Sequence, residues 1–156
     1  LFACDLAFCA DEAQFGLSEI NWGILPGGGA SKVAVNLMNH RNAMYHAMMG
    51  ENLNGQQAAA QGLVNESLPA DKLKARVEEV CKVLLSKNAV ALKGTKDAIR
   101  RVAEMTYDNA EDYLIRAQEA NDSYDKSGRI EGMKQFLDDK TFKPGLGAYD
   151  KSKSKA

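Results

Sequence analysis

The sequence predicts an α/β fold that passes into a helical C-terminal region, on three observations. Short strand-like runs alternate with short helical ones as far as Pro69. Beyond it, Leu73, Val77, Val80, Cys81, Leu84 and Leu85 stand at offsets of 0, 4, 7, 8, 11 and 12, the apolar face of one helix. Composition changes only once, near Pro69, and no internal repeat is visible. Residues 1–69 are therefore expected to form the α/β core, 70–145 a helical region and 146–156 a disordered tail.

Residues 1–10 read as a buried strand interrupted only by Asp5, and a turn at Ala10–Ala13 leads into a short strand over Gln14–Leu17. The glycine-rich loop that follows gives way at Ala30 to a helix carrying Val33, Leu37 and Met38, broken by Asn39-His40-Arg41. A second helix over Asn42–Met49 should end at Gly50, a residue suited to a left-handed cap. Asn54-Gly55 opens a short helix over Gln56–Gln61, Gly62 ends it, and Leu63–Leu68 reads as a strand closed by Pro69.

In the second half the spacing predicts helices over 71–87 and, interrupted by Gly94, over 90–105. Asp108 with Glu111 three residues on resembles a capping box for a long helix in which Tyr113, Ala117, Ala120 and Tyr124 share a face. Ser127 is a candidate cap for a last helix bearing Ile130, Met133, Phe136 and Leu137. Such amphipathic helices either close onto their own core or pack against another subunit.

With 20 basic and 21 acidic residues the chain offers no electrostatic case for a nucleic-acid partner. The basic tail Lys151–Lys155 has nothing apolar to bury. The opening apolar run is too short to span a membrane and lacks the basic start of a signal peptide. Because Leu1 stands mid-run without a methionine, upstream sequence is expected to be missing. Cys4, Cys9 and Cys81 have no metal or redox spacing and are expected to be reduced core residues of a cytoplasmic protein.

The chemically suggestive stretch is Phe15–Gly29, which combines one carboxylate, Glu19, with Leu17, Ile20 and Trp22 and with Gly23, Gly27, Gly28 and Gly29 around Pro26. Burial would disfavour the charged carboxylate and suit Glu19 to proton transfer; in the open, it would be an ordinary solvated loop residue. The triple glycine before a helix could hold an anion or simply make a tight turn. His40 and His46 are six apart, which does not make a helical zinc pair, and both are expected in capping or surface roles. Neither Ser18 nor Ser31 has a base nearby in sequence, so Glu19 remains the best acid–base candidate.

The string from Cys4 to Gly29, together with Ala58–Ser67 and Glu131–Leu137, resembles the crotonase (enoyl-CoA hydratase/isomerase) superfamily over essentially the whole chain. Within it, Leu17–Gly23, Asn109–Leu114, Met133–Lys140 and the Lys143-Pro-Gly-Leu run are most similar to the hydroxycinnamoyl-CoA (feruloyl-CoA) hydratase-lyases. The resemblance implies a ββα spiral followed by helices that build trimers or dimers of trimers. It implies that the oxyanion hole and most coenzyme A contacts lie upstream of Leu1. Glu19 matches the catalytic glutamate, Gly27 a loop glycine beside the reacting centre, and Trp22 a tryptophan near the aryl end or else an ordinary core residue. Phe136 matches an aromatic that in relatives touches the coenzyme A adenine across subunits.

Two positions depart from that pattern. A tyrosine that binds the substrate's 4-hydroxyl is expected two residues beyond Tyr113, where this chain has Ile115, leaving Tyr113 as the nearest phenol. The lysine expected three residues after Phe136 is Asp139, with Lys140 next. The implied activity is hydration of a 4-hydroxycinnamoyl-CoA thioester and retro-aldol cleavage to an aromatic aldehyde, with coenzyme A as part of the substrate and no cofactor or metal. The alternatives are a general enoyl-CoA hydratase or isomerase, and, for the 156 residues alone, an inactive piece.

Overall fold

The computed structural model describes residue 1 and residues 3–141. It divides into two compact units, Leu1–Cys81 and Lys82–Ala156. The composition changes at Pro69, while the units divide after Cys81, inside a helix. The tail expected over 146–156 and the stop at Lys143-Pro-Gly lie outside the described residues.

In the first unit, strands β1 (Phe8–Ala10), β2 (Gln14–Gly16), β3 (Asn52–Asn54) and β4 (Glu66–Leu68) alternate with helices α1 (Ala30–Leu37), α2 (His40–Met49) and α3 (Gly55–Ala60). β1 runs parallel to β4 with Cys9 opposite Ser67, and β2 antiparallel to β3 with Phe15 opposite Leu53. The strand expected over residues 1–10 is only three residues long, because its partner β4 is; Leu6 before it is exposed. Leu63 and Val64 are buried in irregular backbone rather than in β4.

Cys9, Ala34, Met38, Ala43, Leu53, Ala58, Leu63 and Val64 form the core. Only Cys9 of the three thiols belongs to it; Cys4 and Cys81 are exposed, which corrects the expectation of three core cysteines. Small residues let the layers approach. A β-carbon on Gly55 would enter the backbone carbonyl of Ala10, and Gly55 N–H instead donates to Asp11 O at 3.0 Å. Asp11 N–H donates to Leu68 O at 2.9 Å and its Oδ1 accepts from Ser67 Oγ at 2.6 Å, so β1, α3 and β4 are tied at one point.

The polar residues expected to break the chain after α1 start α2: Asn39 Oδ1 accepts from Asn42 N–H at 2.9 Å, and Gly50, with φ 65°, closes the helix as expected. Asn54 caps α3 in a capping box with Gln57, each side chain bonding the other's backbone N–H. α4 (Ala70–Leu85) follows β4, and Arg76 on it donates to Glu66 at 2.9 Å and to Glu79 at 2.6 Å.

The second unit holds α5 (Ala89–Val102), α6 (Tyr107–Tyr124) and α7 (Gly128–Leu137). Gly94 interrupts nothing: α5 continues through it, and its missing side chain leaves room for the Asn121 amide of α6. That contact fixes the face of α6. Ala110, Tyr113, Ala117 and Asn121 are its half-buried row, whereas Ala120 is exposed and Tyr124 is 82% exposed, contrary to the expected Tyr113–Tyr124 stripe. The cap of α6 is Thr106, two residues before the expected Asp108.

Ser127 precedes α7 but makes no capping bond with its side chain. Asp125 does that work instead, accepting from Gly128 N–H at 2.9 Å and from Asn88 Nδ2 at 2.5 Å. The Asn88 amide first, and then the Gly128 N–H, hold the Asp125 carboxyl below its ordinary range. A depressed native value means that this stabilisation is complete above the unfolded value near 3.8 and is lost as pH falls through the native one. Asn88→Ala should therefore flatten the acid limb of stability below about pH 4, measured by circular dichroism melts across that range. An unchanged acid limb would show that the Asn88 bond is not what holds the carboxylate.

Candidate active site

Between β2 and α1 the chain makes one 3-10 turn, Glu19–Trp22, and then a glycine loop. Gly23, with φ 71°, closes the turn through N–H donation to Ile20 O at 3.2 Å, and Ile24 N–H returns to Glu19 O at 3.3 Å. Asn21 Nδ2 donates to Gly50 O at 3.0 Å, anchoring the turn on the end of α2. The side chains of Ile20 and Asn21 fill the space a β-carbon at Gly50 would need. Downstream, Ser31 Oγ donates to Pro26 O at 2.7 Å and Ala30 N–H to Gly27 O at 2.9 Å, with Gly28 and Gly29 at φ 57° and 86°.

Glu19 is thus held in the turn by its backbone. The residue is half-buried, and Oε2 is buried with no hydrogen-bond partner among the described residues. Leaving a buried carboxylate oxygen unsatisfied is costly, and such groups concentrate where chemistry is done. The solvated-loop reading of Glu19 does not fit that burial. Trp22 is 76% exposed, so it is no core tryptophan of this unit, and Ile24 and Leu25 beside it are exposed as well.

Gly27 is not among the positive-φ glycines, and a β-carbon there would meet only Leu25 O at 4.0 Å. Nothing in the packing of the described residues demands a glycine at 27. Glu19, Trp22 and Gly27 lie within one nine-residue stretch of this turn and loop. Tyr113 and Phe136 belong to the second unit, Tyr113 half-buried on α6 and Phe136 partly exposed on α7. Asp139 is committed to Lys134 at 2.9 Å, a bond that raises the lysine above its ordinary range, while Lys140 takes a left-handed φ of 53°. Ile115 is exposed.

His46 is the residue whose place the sequence did not reveal. It is buried at 8% exposure, its Nε2 lies 2.7 Å from Gln61 Oε1, and Nδ1 has no partner among the described residues. The surface role expected for it is corrected: it stands three residues after the buried Ala43 on the inner face of α2. That spacing was the one available signal.

A model of the enoyl-CoA hydratase/isomerase family matches residues 1–144. The chain belongs to that family, and its fold is crotonase-like. It is 50% identical over 150 residues to a hydroxycinnamoyl-CoA hydratase-lyase from Pseudomonas fluorescens, covering 96% of this chain and 54% of that protein. To 2,3-dehydroadipyl-CoA hydratase of Escherichia coli K12 it is 29% identical over 102 residues, covering 65% of this chain and 40% of that one. The crystal structure of an enoyl-CoA hydratase from Bacillus anthracis superposes with a TM-score of 0.80 at 25% identity, over 88% of this chain and 53% of the other. The chain spans about half the length of the curated relatives it matches.

Proposed function

We propose that the full-length protein containing this chain hydrates a 4-hydroxycinnamoyl-CoA thioester such as feruloyl-CoA and cleaves the adduct to an aromatic aldehyde and acetyl-CoA. The observation that carries this reading is the buried, unpartnered Oε2 of Glu19, in a loop shared with the exposed Trp22. Half identity to a hydratase-lyase supports the aromatic substrate over an aliphatic one.

In this mechanism Glu19 takes a proton from water as the oxygen adds to the β-carbon, and returns a proton to the α-carbon. The thioester oxygen carries the enolate charge meanwhile and needs N–H donors, which we assign to the part of the full-length protein outside this chain. In the second half-reaction the β-hydroxyl loses its proton and the Cα–Cβ bond breaks. The ring-bearing carbon leaves as an aldehyde, and the acetyl-CoA enolate is protonated. Water is the only co-reactant, so the reaction as written calls for no redox cofactor or metal, and coenzyme A serves as the carrier of the substrate.

Trp22 is assigned the aryl group, Gly27 close backbone approach to the thioester, Tyr113 the phenol side and Phe136 the adenine. The exposed Ile130, Met133, Phe136 and Leu137 of α7 support burial in a homotrimer or dimer of trimers. No helix among the described residues is long and apolar enough to cross a membrane. We place the enzyme in the cytoplasm on its three free cysteines, which fit a reducing compartment.

The substrate assignment is tested by kcat/KM for feruloyl-CoA against crotonyl-CoA on the full-length protein, with the 156-residue chain as the inactive control. A preference for feruloyl-CoA with vanillin released supports it. Faster hydration of crotonyl-CoA with no aldehyde from feruloyl-CoA would make the protein a general enoyl-CoA hydratase.

A further inference from the structure

Glu19 stands between two joints, and both are made with the same short segment, residues 50–52. On its N-terminal side β2 ends at Gly16, which pairs with Asn52 at the start of β3. A β-carbon on Gly16 would enter the Asn52 side chain, so the strands meet there without slack. On its C-terminal side Asn21 Nδ2 donates to Gly50 O at 3.0 Å. A helix end leaves its carbonyls without intrahelical partners, and the amide meets that need at the end of α2. Gly50, at φ 65°, makes room for the contact: a β-carbon there would lie 2.7 Å from both Asn21 Nδ2 and Ile20 Cγ2. The buried Ala43 and His46 fix α2 itself. Asn21 also closes the turn, its N–H donating to Ser18 O at 3.0 Å.

We infer that Asn21 is a positioning residue for Glu19, a role that rests on the acid–base reading of that glutamate: the amide, held by the end of α2, sets where the carboxylate stands against the reacting carbons. The bonds from Gly23 N–H to Ile20 O and from Ile24 N–H to Glu19 O lie within the turn or beside it and keep its shape. The Asn21 side chain ties that shape to α2 and so sets its place. Placement matters because a general acid–base group must lie within hydrogen-bond reach of the proton it moves, and a displacement of about 1 Å can cost about a hundredfold in rate.

The test is a double-mutant cycle on the full-length protein, reading kcat for whichever of feruloyl-CoA and crotonyl-CoA the unaltered protein turns over faster. Asn21→Ala should lower kcat roughly tenfold to a hundredfold. In a Glu19→Ala background, followed under single-turnover conditions, the same change should lower the rate by less than about twofold, because a residue that acts through Glu19 has nothing left to place. Gly50→Ala presses on Asn21 and Ile20 from α2 without altering the turn's own residues, and it should show the same pattern. Thermal melts check that each variant is folded at the assay temperature. An equal loss in both backgrounds would make Asn21 a merely structural residue and overturn this inference alone, as would unchanged kcat in Asn21→Ala beside a collapse in Glu19→Ala. Unchanged kcat in Glu19→Ala would overturn the acid–base reading and the positioning role with it.

Discussion

Glu19→Ala in the full-length protein is expected to lower kcat for feruloyl-CoA by roughly a hundredfold to ten-thousandfold, the range of a positioned general acid–base group. The same change should barely affect folding, and the reason lies in the bonding of the residue. Its backbone holds the turn, through Ile24 N–H to the Glu19 carbonyl, and an alanine keeps that bond. Its buried Oε2 has no partner among the described residues, so removing it strands none of them and relieves an unsatisfied group. Activity and stability should therefore separate: turnover collapses while the melting temperature stays or rises. Measuring kcat beside a thermal melt decides it, and wild-type turnover in the alanine variant would refute the role of Glu19.

The second large effect is structural. Gly55→Ala places a β-carbon against the Ala10 carbonyl and 2.8 Å from Ser67 Oγ. The serine can turn away, at the expense of its bond to Asp11, but the carbonyl belongs to the strand pair and cannot move without shifting β1 from β4. Overpacking against backbone costs about 1–3 kcal/mol, and loss of the Asp11–Ser67 bond adds about 1 kcal/mol. A fall in melting temperature of about 10 °C is expected for the 156-residue chain. Gly132→Ala on α7, where a β-carbon meets nothing within 4 Å, is the control and should not destabilise. Similar melts for the two variants would show that β1, α3 and β4 are not packed as described.

The parts of the fold that could be read from sequence are those set by local chemistry. Gly50 ends α2 because a left-handed cap suits glycine, and α4 follows from one apolar periodicity. The parts that could not are set by distant partners. β3 is three residues, Asn-Leu-Asn, and becomes a strand only because β2 lies beside it. Gly94 looked like a helix breaker until Asn121 occupied the space above it. Thr106 and Asp125 took the capping roles that spacing assigned to Asp108 and Ser127, since several polar residues near each helix start compete and tertiary geometry chooses.

The site shows the same division. Glu19 stood out as a lone carboxylate among apolar residues, but its burial required the turn, the anchor from Asn21 to Gly50 and the loop tied back by Ser31. Trp22 could have been core or surface by composition, and only the turn geometry put it outside. The burial of His46 was hidden because a histidine on an amphipathic helix reads as its polar face.

The most direct measurement of the central claim is the stoichiometry of products from feruloyl-CoA consumed by the full-length protein. Aldehyde and acetyl-CoA should form in equal amounts, matching the thioester lost, and the rates of both should fall together in the Glu19→Ala variant. Accumulation of the β-hydroxy thioester with no aldehyde would contradict the account.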